Sequence, residues 1–197
     1  MIRISPDRIE EIAHAFREGH VVVFPTETSY GIGCDATNAQ AVWNVIDIKR
    51  RRAEKGLPVL VHDIEEAEEH IVFNEQAIQL AHKFWPGPLN IISTVRPETG
   101  IVSTCHKDGM QAVRHSSHAF VTELMKHIDV PIVATSANIS GEESTYSADA
   151  VWDQFRGEIL KPDFIVDAGV LLKNPASTMV RVVGNHVDVV RFGSITV

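Results

Sequence analysis

Five of the chain's 18 lysines and arginines fall in seven consecutive positions, Lys49-Arg50-Arg51-Arg52-Ala53-Glu54-Lys55, of a protein whose formal net charge is -8. A pI near 5.6 disfavours nucleic acid at long range, so a compact basic patch in this background suits a small polyanion better. The plainer reading is a solvated helix end, where cations gain a few tenths of a kcal/mol from the macrodipole. Three polar loops can add neutral partners: Pro25-Thr26-Glu27-Thr28, Ser136-Ala137-Asn138 and the loop before Ser177-Thr178. Each adjoins an expected strand end, where open α/β sheets form ligand crevices, although serine and asparagine there also serve as ordinary turn residues.

Other constellations carry less. Gly31-Ile32-Gly33-Cys34-Asp35-Ala36 matches the G-x-G-x-x-A dinucleotide fingerprint, but Pro25 to Tyr30 intervene after the strand, and the position of the acidic ribose ligand falls near Arg51. An arginine there leaves NADP as a weak alternative. No G-x-x-x-x-G-K-[ST] loop and no G-x-S-x-G elbow occurs. Cys105, His106, His115 and His118 are ligand types for zinc at a spacing that fits no usual structural site. His62 ends the strand that follows Lys55 and is held as a site candidate.

The elements that must position these groups follow from periodicity. Pro6 to Glu18 reads as an amphipathic helix with Ser5 as N-cap and Gly19 as stop, and His20 to Phe24 as a buried strand before a loop from Thr26 to Gly33. A helix from Asn38 to about Lys49 carries Val42, Val45 and Ile46 on one face, and Lys49 continues that face with its stem inward. Further strands are expected at Leu57 to His62, Ile71 to Phe73, Leu89 to Val95, Met110 to Val113, Pro131 to Thr135 and Asp163 to Asp167. Helices are expected at Ile64 to His70, Asn74 to Trp85, Ser117 to Ile128 and Ser147 to Phe155. Met179 to Val183 and His186 to Phe192 form a hairpin across Gly184-Asn185. Alternating strands and helices with a terminal hairpin imply an α/β fold with a twisted mixed sheet, helices on its flanks and a central cleft.

At 197 residues the chain is expected to form one domain over positions 1–197. Its apolar runs fall far short of the roughly 20 residues of a membrane span, Met1 to Asp7 does not read as a signal peptide, and Cys34 and Cys105 are too few for a disulfide framework. A cytoplasmic setting, with no membrane, is the expectation.

The motifs taken together resemble the YrdC-like domain family found in threonylcarbamoyl-AMP synthases. The residues that carry the resemblance are Pro25-Thr26-Glu27-Thr28-Ser29-Tyr30-Gly31-Ile32-Gly33, Lys49-Arg50-Arg51 with Lys55, Trp85-Pro86-Gly87-Pro88-Leu89 and Val113-Arg114. Thr135-Ser136-Ala137-Asn138-Ile139-Ser140-Gly141, Ser177-Thr178 and Arg191-Phe192-Gly193 complete the order. Arg50 and Arg52 stand where glycine and proline are common, Asn90 where threonine is, and Ser116 where proline is.

The resemblance implies a single-domain YrdC-like fold and a reaction in which L-threonine, bicarbonate and ATP give threonylcarbamoyl-AMP and pyrophosphate for t6A modification of tRNA. It implies catalytic roles for Lys49, Arg51, Lys55, Ser136 and Asn138, ATP binding by Arg51, Lys55, Asn138, Ser147 and Arg191, and threonine binding by Thr28, His62, Arg114, Ser136 and Ser177. Mg2+ would bridge phosphates and need no protein cage. The implied partners are a downstream threonylcarbamoyl transferase complex and a weak contact with tRNA. A non-catalytic nucleotide- or RNA-binding module, or a relative with another carbamoyl acceptor, stands as the alternative. The basic segment adds a structural condition: residues two apart on a regular helix point about 200° from each other, so Lys49 and Arg51 can share a site only if the helix stops at Lys49 or Arg50.

Overall fold

The computed structural model describes residues 1–197. In chain order its first half holds β1 (Ile2–Ile4), α1 (Ile9–Arg17), β2 (Val22–Pro25), β3 (Tyr30–Gly33), α2 (Ala39–Ile48), β4 (Val59–Leu60), α3 (Ile64–His70), α4 (Glu75–Phe84) and β5 (Leu89–Thr94). Then follow β6 (Met110–Arg114), α5 (Ala119–Met125), β7 (Ile132–Val133), β8 (Thr135–Ser136), α6 (Ala148–Phe155), β9 (Phe164–Val166), β10 (Thr178–Val183) and β11 (His186–Arg191).

The α/β class with a central cleft is as expected, but the strands form two mixed sheets, not one. The first runs β1-β9-β2-β3-β8 and the second β11-β10-β5-β6-β4-β7. They meet at a corner where β7 passes into β8 through Ala134, tied by Val133 N–H donating to Cys34 O at 2.8 Å. Strand β2 is buried on both faces: Val22 and Phe24 join a core with α1 and α5, while Val21 and Val23 join the larger core on the other side. Burial on both faces is why its sequence is continuously apolar and not alternating.

Four expected helix starts hold, each with its own cap: the side chains of Asn38, Asp63, Asn74 and Ser147 accept from backbone N–H groups of α2, α3, α4 and α6. Helix α1 starts later than Pro6. Ser5 closes a turn by accepting from Arg8 N–H, because the chain before it is extended to pair β1 with β9.

The expected loop from Thr26 to Gly33 is corrected. Its second half is β3, antiparallel to β2, with Gly31 and Gly33 inside the strand. Here glycine serves close approach and not a turn: a Cβ at Gly33 would lie 1.7 Å from Val133 O. The strand expected at Leu57 to His62 shrinks to Val59–Leu60, and Ile71 to Phe73 contributes only an isolated bridge from Ile71 to Val95.

Candidate active site

Helix α2 stops at Lys49 because Arg50 adopts a left-handed φ of 48°. The Arg50 N–H donates to Asp47 O and the Arg51 N–H to Ile46 O, at 3.0 and 2.9 Å, which is the bond pair of a Schellman end. The stop distributes the basic segment. Lys49 turns into the interior, Arg50 pairs with Glu158 at the surface, Arg52 lies 3.5 Å from Glu54 in solvent, and Arg51 and Lys55 line a cleft.

That cleft has a volume of about 370 Å³ and is walled by both sheets. Arg51, Lys55, Arg114 and Arg191 all line it. Arg51 donates through Nε and Nη2 to Gly56 O at 3.2 and 2.8 Å, which holds its guanidinium against the Ala53–Lys55 turn. Arg191, at the end of β11, donates from Nε to Ser177 O at 2.9 Å. Burial pulls the Arg191 guanidinium below its usual range, and the Arg114 and Arg51 cations pull it further, so the three charges share one cavity. Arg51, Lys55 and Arg191 form no ion pair. Arg114, 6 % exposed, faces Glu27 Oε2 at 3.9 Å and leaves its Nε without a partner. Burial would raise the Glu27 carboxyl, but Arg114 and then the Ser116 hydroxyl, which donates to Oε2 at 2.6 Å, bring it below the usual range.

Lys49 is 2 % exposed and outside the cleft lining. Its Nζ donates to Ser136 O and to Asn138 O, the latter at 2.7 Å, and to no carboxylate. Burial, and next the Arg51 cation, bring its ammonium down to about 7. Lys49, expected in a catalytic role, therefore does not line the cleft and props the Ser136–Asn138 loop from behind. Asn138 is likewise turned inward, with Nδ2 donating to Ile139 O and Glu142 O at 3.0 and 2.7 Å, while its Oδ1 accepts from Ser136 Oγ. Its amide organises the loop and does not line the cleft.

Of the residues expected around threonine, Thr28, Arg114, Ser136 and Ser177 line the cleft together. His62 does not. It is half exposed beside Asp63, in a smaller, separate hollow of about 200 Å³ with His115 and Ser116. Ser147 also lies off the cleft, because its hydroxyl accepts from Ala150 N–H as the cap of α6. The cleft residues of note that carried no earlier assignment are Asn90, Asn174 and Lys107. A buried asparagine inside the apolar strand Leu89–Thr94 was the legible signal among them.

The two weaker readings fail on geometry. Gly31 to Gly33 is strand and not a phosphate turn. Cys105 is buried, its thiol pushed up to about 12 by burial, and no three His, Cys, Asp or Glu residues converge as a metal site.

An α/β chain whose two sheets enclose a cation-lined cleft defines a small-molecule site for anionic ligands. The model of the Sua5/YciO/YrdC family, described as "Telomere recombination", matches residues 14–193, and the chain belongs to that family. It is 37% identical over 181 residues to threonylcarbamoyl-AMP synthase of Pyrococcus abyssi, covering 90% of this chain and 52% of that protein. It is 34% identical over 190 residues to a putative threonylcarbamoyl-AMP synthase of Methanocaldococcus jannaschii, covering 96% of this chain and 87% of that one. The chain thus spans about half the length of the first relative and most of the second. Among solved structures, P. abyssi Sua5 complexed with L-threonine superposes with a TM-score of 0.88 at 32% identity, over 98% of this chain and 56% of that one. E. coli YciO, at 21% identity and a TM-score of 0.84, shares the fold over 98% of this chain and 93% of that one.

Proposed function

We propose that the chain forms threonylcarbamoyl-AMP from L-threonine, bicarbonate and ATP, with release of pyrophosphate and water, as a single YrdC-like domain over 1–197 acting in the cytoplasm. The observation that carries this reading is the convergence of six cations and a set of hydroxyls in one cleft, with only Arg114 and Arg181 facing a carboxylate. The names of the P. abyssi and M. jannaschii relatives and the threonine complex of Sua5 support it.

The chemistry asks for a carbamate oxygen in line with the α-phosphorus and for neutralised charge on the departing pyrophosphate. Positioning and electrostatics meet that need without a protein nucleophile. Arg51 offers a planar fork of donors and Lys55 a mobile point charge to the phosphates, with Arg191 completing the clamp. Arg114 takes the threonine carboxylate, while Thr28 and Ser136 surround the rest of the amino acid and Ser177 adds a hydroxyl beside them. Asp108 is the one carboxylate among the lining residues, so Mg2+ fits here as an ion carried on phosphate oxygens, where it would offset their charge. The reactive adenylate passes to a downstream threonylcarbamoyl transferase complex, and contact of this chain with tRNA is weak, in keeping with a net charge of -8.

Pyrophosphate release with each substrate omitted in turn tests the reading. Release should require L-threonine, bicarbonate and ATP together. Release that continues without threonine would remove threonine as the acceptor.

A further inference from the structure

Asn90 on β5, Met179 on β10 and Arg191 on β11 stand in cross-strand register, and Ser177 immediately precedes β10. Asn90 Nδ2 donates to Ser177 Oγ at 2.7 Å, and Arg191 Nη2 donates to the same oxygen at 2.8 Å. A serine hydroxyl has two lone pairs and one proton. Both lone pairs are therefore engaged, and the proton has no acceptor in the protein. Ser177 and Asn90 are almost fully buried, at 6 % and 4 % exposure, yet all three residues line the cleft. A buried donor left without a partner calls for an acceptor on the ligand.

We propose that Asn90 is a positioning residue that fixes Ser177 as an obligate hydrogen-bond donor into the cleft, aimed at an oxyanion of the bound substrate. The inference rests on the reading of the cleft as a site for threonine and ATP. It narrows that reading, because a hydroxyl with both lone pairs taken, beside the Arg191 cation, cannot hold the amino-acid ammonium. It takes a carboxylate or a phosphate oxygen.

Asn90→Asp inverts the arrangement, since a carboxylate at this position accepts the Ser177 proton and withdraws it from the cleft. Asn90→Ala frees one lone pair but offers the proton no new acceptor. L-threonine and ATP are titrated calorimetrically, each alone, into the wild type, Asn90→Asp, Asn90→Ala, Ser177→Ala and the Asn90→Asp/Ser177→Ala double variant. The ligand whose oxyanion meets Ser177 should lose about tenfold in affinity in Asn90→Asp and in Ser177→Ala, with little further loss when the two are combined. Asn90→Ala should lose clearly less than Asn90→Asp. The arm that weakens names the source, carboxylate or phosphate.

Equal losses in Asn90→Asp and Asn90→Ala, or losses that multiply in the double variant, would overturn the inference while leaving the function standing. A wild type that binds neither ligand would overturn the reading of the cleft, and the inference with it. Where Asn90→Asp does not fold, Ser177→Thr against Ser177→Ala decides: the threonine variant keeps the donor and should retain affinity within about threefold, whereas equal loss in both contradicts the inference.

Discussion

Lys49 gives the sharpest test of the electrostatics, because its ammonium is buried, has no carboxylate partner and titrates at about 7, against 10.5 in the open chain. A lysine whose folded pKa is depressed binds fewer protons folded than unfolded between those two values, so stability must rise with pH from about 7 towards 10.5. The full slope is about 1.36 kcal/mol per pH unit. Between pH 7 and 8.5 the folded lysine is still losing its proton at the lower end, which leaves a gain of about 1–2 kcal/mol. The assay is urea unfolding of the wild type and of Lys49→Met at pH 7, 7.5, 8 and 8.5, with the difference between the two curves as the readout. Buried Cys34 and Cys105 titrate oppositely on unfolding but are common to both proteins and cancel. The difference should favour the wild type increasingly with pH. A flat difference across this range would refute a Lys49 that is neutral in the folded state above pH 7. Lys49→Met also strands Ser136 O and Asn138 O, so turnover should fall about tenfold through a loosened loop.

Arg51→Ala and Lys55→Ala should each lower kcat by about two orders of magnitude in pyrophosphate release, because both face the charge that develops on the phosphates. Glu27→Gln removes the carboxylate behind Arg114 and should raise the threonine KM about tenfold with kcat changed by a small factor only. Gly33→Ala drives a Cβ into Val133 O at 1.7 Å and should cost about 3 kcal/mol, a fall in Tm of about 6–12 °C by calorimetry. Arg50→Gly relieves a left-handed φ of 48° at the loss of the exposed Glu158 pair and should gain about 0.5 kcal/mol in urea midpoints.

Legibility followed local chemistry. Helices α2, α3, α4 and α6 could be read because asparagine, aspartate or serine caps each one directly before its apolar face. The condition set by 200° between Lys49 and Arg51 was met by a helix stop that falls on an arginine and not on the glycine such a stop favours. Strand β3 was hidden because its two glycines answer to Val133 on another strand, a contact that no local pattern announces. Strand β1 was hidden because three residues carry too little periodicity. In the site, residue type revealed the cations but not their direction. Lys49 and Asn138 belong to the wall behind the cleft, and Ser147 to a helix cap, because burial and hydrogen-bond partners decide which side of a loop a side chain serves.

The central claim concerns one product. With ATP, L-threonine and 13C-bicarbonate, mass spectrometry of the reaction should find an adenylate that carries both threonine and the labelled carbon. ATP turnover that yields AMP without a labelled threonyl adduct would contradict the account.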